Sequence, residues 1–375
     1  MKILLIVGHN GIYSGASYQA LYLALGLQER GHEVHCVWGP EEGDSSLDII
    51  KRSGLTLHTI SMQGKFHIRA LRTLRALLKT EAFDVMHCFK GMAMYRALWA
   101  SWGIAIPALV FNREVSKQLE YFQGAKYRSR RVDLVVADSE AVRQIVLQSG
   151  KVRVDKVAVV YDEVDLQRYH PQISGANVRR EFQIKDQDFF CGVIGNYALW
   201  RGQEYFLQAI DLIRQKLGEQ SNLKFLIVGK DTDRLLPLVN KLSVNSALFL
   251  SGFRQDLEQV VAALDVIVNC SIGVESLSGA ITIAMAMGKP VIGTAIAGTP
   301  ELIEDGITGL LVPPTDAQKL ADAILRIAAL SPDERALMGR KARSKMEQHF
   351  SRSARAERME SLYMDIHRKK GKSVA

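Results

Sequence analysis

A chain of 375 residues, 47% apolar and 23% charged, is long enough for about two domains at the usual roughly 100–200 residues each. No apolar run reaches the roughly 18 residues of a membrane span, and the stretch before Gly8 in MKILLIVGHN is too short for a signal-peptide core, so a cytoplasmic location is expected. The net charge of +8 favours an anionic partner without defining the fold.

Strand-like runs alternate with helical stretches from end to end. The first, 3–7, opens into GHNGIYSGAS, with Gly8, Gly11 and Gly15 ahead of a helix that runs to Arg30 and stops at Gly31. The spacing is not GxGxxG, so the dinucleotide fingerprint fails. These glycines either allow close approach of a ligand phosphate to a helix N-terminus or serve a tight turn. Runs follow at 33–38, 55–60, 84–89, 108–112, 134–138 and 157–161.

Between the third and fourth runs lies KFHIRALRTLRALLKTE (65–81), with Lys65, Arg69, Arg72, Arg75 and Lys79 set among Ile68, Leu71, Leu74, Leu77 and Leu78. This is a basic amphipathic helix, read either as a solvated face or as one drawn to anionic lipid head groups. KYRSRR (126–131) and HRKKGK near the end add basic clusters. Nucleic acid is not the expected partner, since the clusters lack interleaved aromatics for base stacking. Cys36, Cys88, Cys191 and Cys270 are far apart, each in or ending an apolar run, and read as buried free thiols.

Residues 165–188 lack a clear strand and hold Pro171, Ser174 and Gly175, so the linker between domains is placed there. Runs resume at 189–194, 224–228, 247–250, 265–269 and 291–294, again separated by helical stretches, the pattern of βαβ units with a parallel sheet. Two open α/β domains follow, with ligands expected beyond the carboxyl ends of their strands.

Three loops of the second half carry candidate chemistry. GNYALWRGQEYFLQAI (195–210) places Arg201 and Gly202 at a helix start, where a guanidinium holds a phosphate or is simply a surface cation. LFLSGFRQDL (248–257) offers Phe253 and Arg254 either to a nucleobase or to a plain strand-to-helix turn. GVESLSGAITIAMAMGKPVIG (273–293) sets Glu275, Ser278 and Gly279 before a helix from about 280 to 287, stopped by Gly288 and Pro290. That helix start suits a diphosphate, and Glu275 suits sugar hydroxyls that donate to it. After the strand at 291–294, TAIAGTPELIEDGITGLLVPP reads as a turn and a short return to the surface.

IGN…WRGQ, ES.SG…AMAMGKPVIGT and AGTPELIEDGITGLLVPPTD, in that order, resemble the donor domain of retaining, family 4-type glycosyltransferases of the GT-B fold. GHNGIYSGAS, ERGHEV, DVMHCF and VVYDEVD extend the resemblance over the first half. It implies an α/β chain of two Rossmann-like domains with parallel sheets facing across a cleft: 1–168 for the acceptor, 169–350 for a nucleotide sugar, and 351–375 as a helix crossing back. It implies a UDP-, GDP- or ADP-linked donor as substrate, no cofactor or metal, and a lipid-linked or cell-envelope glycan acceptor, such as lipopolysaccharide, met at the cytoplasmic face of a membrane.

Carried over residue by residue, the resemblance gives Arg201 and the helix start at Ser278 and Gly279 the developing diphosphate charge, Glu275 the donor sugar, and Gly15 the phosphates from the other domain. Asn196, Gly202, Phe253, Arg254 and Thr282 complete the donor list. His87 and Arg113 face the sugar or acceptor, though His87 reads equally as a core histidine. The family's second acid, eight positions after Glu275, is Ile283 here; its Arg after the phosphate-loop glycine is Asn196, its Lys is Arg201, and its histidine after the next strand is Arg113. These departures keep open a scaffold that binds nucleotide or glycan with little chemistry. A nucleotide-sugar epimerase is a more distant alternative, and a nicotinamide dehydrogenase more distant still.

Overall fold

The computed structural model describes residues 1–10, 12, 15–40, 46–61, 68–218, 221–273 and 275–371. Lys65 and Gly11 lie outside them. The chain divides into two units, Met1–Glu163 with Arg352–Ala375, and Val164–Ser351.

The first unit runs β1 (Lys2–Asn10), α1 (Gly15–Glu29), β2 (Glu33–Gly39), α2 (Asp48–Arg52), β3 (Thr56–Thr59), α3 (Ile68–Thr80), β4 (Val85–Phe89), α4 (Gly91–Ala100), β5 (Ala108–Arg113), α5 (Tyr121–Arg128), β6 (Leu134–Ala137), α6 (Glu140–Gln148) and β7 (Val157–Val159). Its sheet is parallel throughout, in the order β3-β2-β1-β4-β5-β6-β7. Side chains alternate across a strand, so β1 feeds two cores: Leu4 and Ile6 pack with Leu74 and Leu78 of α3, while Ile3, Leu5 and Val7 pack with Leu23 and Leu27 of α1. The order of connection reverses between β1 and β4, which makes that crevice the unit's switch point.

The second unit runs α7 (Ala176–Glu181), β8 (Phe189–Ile194), α8 (Gln203–Leu217), β9 (Leu223–Val228), α9 (Leu236–Leu242), β10 (Leu248–Gly252), α10 (Leu257–Ala263), β11 (Val266–Asn269), α11 (Gly279–Ala286), β12 (Val291–Thr294), α12 (Thr299–Leu302), β13 (Gly309–Val312), α13 (Ala317–Ala329) and α14 (Pro332–His349). Its parallel sheet has the order β10-β9-β8-β11-β12-β13, with the reversal between β8 and β11. The expected turn and return to the surface after β12 contains β13 instead: four residues pair with β12 and bury Leu310 and Val312. So short a run, bounded by Gly309 and Pro313, carries little period for sequence reading.

Residues 165–188 are not an open linker. Val178 of α7 is buried, and a Cβ on Gly175 would sit 2.2 Å from the Ala263 nitrogen, so this segment is seated on α10. At the other end of the second unit the chain passes into α15 (Arg352–Lys369), which belongs to the first unit. Met359, Tyr363 and Ile366 of α15 join the core of Ile3, Leu5 and Val7. A Cβ on Gly26 would meet that of Ala356 at 2.9 Å, so glycine permits the approach of α1 to α15. Arg355 pairs with Asp162 at 2.9 Å and Arg352 with Glu163 at 3.2 Å, fixing the helix beside the exit from β7.

The leucines of α3 face the fold, and its exposed face holds Arg69, Arg72 and Lys79. Arg75 departs from the expected surface role, because its guanidinium donates to the carbonyls of Ala100 at 2.7 Å and Trp102 at 2.6 Å, at the end of α4. Arg131 donates to Leu98 O and Ser101 O from the other side, and Arg128 to Gly150 O. Much of the second basic cluster is therefore internal: a helix C-terminus presents carbonyls and partial negative charge, and these arginines satisfy both. The four cysteines are free and buried, and burial pushes the Cys36 and Cys270 thiols up to about 12.

Candidate active site

In the second unit the two strands flanking the switch point, β8 and β11, deliver the candidate residues. β8 ends at Ile194 and leads through Gly195 into the turn that carries Arg201; β11 ends in Asn269 and leads into the loop that carries Glu275. The two loops are stitched together by Ile272 N–H donating to Trp200 O at 2.7 Å and by the Cys270 thiol donating to Arg201 O at 3.3 Å. Gly202 lies between them with φ 63°, and a Cβ there would fall 2.2 Å from Cys270 O, so only glycine fits.

This stitching brings Arg201 and Glu275 together. Arg201 Nη1 donates to Glu275 Oε1 at 3.4 Å, and Asn269 Nδ2 donates to Glu275 Oε2 at 2.7 Å and to Ser278 Oγ at 2.5 Å. The Asn269 side-chain Oδ1 accepts the Ser271 N–H at 2.9 Å, which fixes the amide's orientation. Ser278 caps α11 by accepting from Ile281 N–H. Glu275 is 7% exposed, while Arg201 keeps part of its guanidinium in solvent and stacks on Trp200, 4.4 Å from the ring centre. The result is a buried carboxylate with acceptor capacity, a half-exposed cation, and a helix N-terminus with no side chain at Gly279 to obstruct it.

Asn269 was not among the residues singled out from sequence. Its signal was present as a polar residue ending an apolar strand at a sheet's carboxyl edge, a position where a buried amide needs partners. Gln203 was missed too: it is fully buried and donates to Gly195 O at 2.9 Å, fixing the loop. Asn196 accepts the Lys230 N–H through Oδ1 at 2.9 Å, so its side chain orders the loop after β9. Thr282 donates to Gly279 O at 3.0 Å, and Ile283 beside it is half-buried.

The structure brings Arg254 elsewhere. Its guanidinium forms a fork with Asp256 at 2.9 and 2.7 Å and a further bond to Glu181 at 2.6 Å, which raise its pKa and leave it committed to carboxylates. Phe253 is 60% exposed, with the Lys230 ammonium 5.1 Å from its ring centre. A cavity of about 630 Å³ lined by Phe182, Lys185, Asp188, Asn222 and Phe249 lies at the amino ends of β8 and β9, the opposite end from Arg201 and Glu275.

In the first unit His87 is corrected from a catalytic candidate to a core residue. It is fully buried in β4, Nδ1 lies 2.7 Å from the Tyr363 hydroxyl and Nε2 2.7 Å from Asn112 Oδ1. Asn112 Nδ2 donates to Glu114 at 3.0 Å, so Oδ1 accepts from His87 Nε2–H and Nδ1 accepts from Tyr363. Burial drives the pKa down to about 3, against the opposing Asn112 bond. Arg113, at the end of β5, donates to Lys117 O at 2.6 Å. Gly15 opens α1 with open space where a Cβ would stand.

Residues 13–168 match Glycosyltransferase Family 4, and residues 189–329 match Glycosyl transferases group 1. The chain belongs to this glycosyltransferase family. Its two parallel α/β units have the GT-B architecture of the solved glycosyltransferases. Anabaena Alr3699/HepE, solved with UDP, is 20% identical with a TM-score of 0.81 over 97% of this chain and 100% of that one. WaaG, described as a glycosyltransferase involved in lipopolysaccharide biosynthesis, is 17% identical with a TM-score of 0.68 over 97% and 99%. A Methanocaldococcus jannaschii glycosyltransferase is 23% identical over 244 residues, 64% of this chain and 60% of that relative. Among the described residues no helix is long and apolar enough to cross a membrane, and no group of three or more His, Cys, Asp and Glu is placed to hold a metal ion.

Proposed function

We propose that this protein transfers a glycosyl group from a nucleotide-linked sugar to a lipid-linked or cell-envelope glycan acceptor, with retention at the anomeric carbon. The observation that carries the reading is the Arg201–Glu275–Asn269–Ser278 cluster at the switch point of the second unit. Arg201 and the N-terminus of α11 meet the growing charge of the leaving diphosphate, and Glu275, freed from Arg201 toward the ligand, accepts from sugar hydroxyls. HepE was solved with UDP, which favours a uridine donor over GDP- or ADP-linked sugars, and the involvement of WaaG in lipopolysaccharide biosynthesis favours an envelope acceptor.

Ile283 supports a second reading. A half-buried aliphatic side chain where the resembled family carries a ribose-binding acid fits a scaffold that holds nucleotide or glycan and turns over little. Thermal unfolding against UDP-, GDP- and ADP-linked sugars, followed by donor turnover, separates the two. Saturation at about 100 times the dissociation constant adds about 2.7 kcal/mol and a readable shift. Transfer with the configuration preserved supports the enzyme; binding without transfer to any envelope glycan supports the scaffold; no shift with any nucleotide sinks both.

We further propose a peripheral seat on the cytoplasmic face of an anionic membrane. Its support is the exposed cationic face of α3 together with Trp99 and Trp102, 65% and 74% exposed at the end of α4, which Arg75 ties to α3. Tryptophan beside Lys and Arg is the composition of a bilayer interface.

A further inference from the structure

Lys126 is a lysine without an oxygen. It sits on α5 at 9% exposure, and its ammonium lies 5.1 Å from the Tyr95 ring centre and 4.9 Å from that of Tyr127, among the described residues with no carboxylate or carbonyl partner. A Cβ on Gly91, the first residue of α4, would stand 3.3 Å from Nζ, so the charge rests over the first turn of that helix. That end of α4 follows β4 at the first unit's switch point, and Lys90 caps it with no side-chain hydrogen bond.

The helix N-terminus and Arg113 both make this arrangement more electropositive. A helix N-terminus carries partial positive charge and unsatisfied N–H groups, and an ammonium over it is repelled. Burial, with the Arg113 charge adding to it, lowers Lys126 to about 8, and the Arg113 Nε is itself buried without a partner. Glu114, the carboxylate next to Arg113 in sequence, accepts from Asn112 at 3.0 Å and makes no contact with Lys126. Aromatic faces give a cation modest compensation compared with a desolvated charge pair.

We propose that Lys126, Arg113 and the N-terminus of α4 form a binding site for an oxyanion, a phosphate or carboxylate carried by the acceptor. The word acceptor rests on the glycosyl-transfer reading; the oxyanion site does not. Bound there, the anion would accept from the Lys126 ammonium, the Arg113 guanidinium and the free amides of α4, and the Tyr95 and Tyr127 rings would wall it from water.

The test is thermal unfolding of the full chain with inorganic phosphate and, separately, acetate, in the wild type and in Lys126→Met, Arg201→Met and Gly91→Asp. Phosphate or acetate should raise the wild-type midpoint, and the larger response identifies the class of anion. Lys126→Met should abolish the response while Arg201→Met keeps it. Gly91→Asp supplies a carboxylate within reach of Nζ, so it should raise the midpoint without added anion and remove the response. That variant decides the matter if Lys126→Met does not fold. An unresponsive wild type, an unchanged response in Lys126→Met or Gly91→Asp, or a response lost only in Arg201→Met overturns the proposal. A nucleotide response that survives in Lys126→Met while the anion response vanishes shows the two sites to be separate. Absence of any nucleotide response would sink the transfer reading and leave the oxyanion result standing.

Discussion

Arg201 donates to Glu275 at 3.4 Å while Asn269 holds the other oxygen of the same carboxylate at 2.7 Å, so the short strong bond comes from the amide and the long one from the cation. Geometry of this kind leaves Arg201 free to turn toward an arriving phosphate without unseating Glu275. On the proposed reading, the pair keeps a carboxylate and a guanidinium side by side until a ligand carrying both hydroxyls and phosphate separates them.

Removal of the carboxylate should therefore be costly in turnover. Glu275→Ala strips the acceptor proposed to orient the donor, and a hydrogen bond to a charged group is worth about 1.5–3 kcal/mol, or about 10- to 150-fold in rate. Glu275→Gln keeps the shape but offers only one acceptor oxygen, so it should fall between. Steady-state kcat/KM with the donor identified by thermal shift is the measurement, and unchanged turnover in Glu275→Ala would remove Glu275 from the mechanism.

Ile283 gives the converse experiment. Its side chain is half-buried on α11, one residue beyond Thr282, whose hydroxyl back-bonds to Gly279 O at 3.0 Å. Ile283→Glu places an acid where the resembled family binds ribose. We expect tighter nucleotide binding by about 10-fold or more, from one added charged hydrogen bond, read by calorimetry with the free nucleotide. Weaker binding would mean that the ribose lies elsewhere in this chain.

The strands, their order along the chain and the loops bearing Arg201 and Glu275 were legible because period and glycine placement are local signals. Two kinds of feature were not. β13 is four residues long and owes its pairing to β12, which is a tertiary choice. The fates of Arg75, Arg128, Arg131 and Arg254 depend on carbonyls and carboxylates distant in sequence, so a cluster of basic letters hid ties to helix ends and acids. His87 reads as a catalytic or a core residue equally well until Tyr363, 276 positions away, is placed on it.

His87 should leave its mark on stability. Its folded pKa is depressed to about 3 by burial, below the ordinary value near 6.5. The unfolded chain therefore takes up a proton that the folded one refuses, and stability is full above about pH 6.5 and falls as pH drops toward 3. Each pH unit in that window costs about 1.4 kcal/mol from this one group. Urea unfolding at pH 7 and pH 5 should show a loss that shrinks by about 2 kcal/mol in His87→Gln, which has no proton to take up. An equal pH dependence in wild type and variant would mean that His87 titrates freely in the folded chain.

The basic residues of α3 divide by what they touch, and that division is testable. Arg69, Arg72 and Lys79 lie on the exposed face, whereas Arg75 is bound to the end of α4. Charge reversal at Arg69, Arg72 and Lys79 should release the protein from vesicles containing phosphatidylserine, since each cation near such a surface contributes about 1 kcal/mol, and three reversals remove most of the attraction. Trp99→Ala with Trp102→Ala should weaken the same binding with less dependence on salt, because their contribution is interfacial burial rather than charge. Arg75→Ala should lower the unfolding midpoint by loosening two carbonyl contacts and change vesicle affinity little. Co-sedimentation at two salt concentrations separates these terms. Retention of full binding by the triple reversal would place any membrane contact on another face.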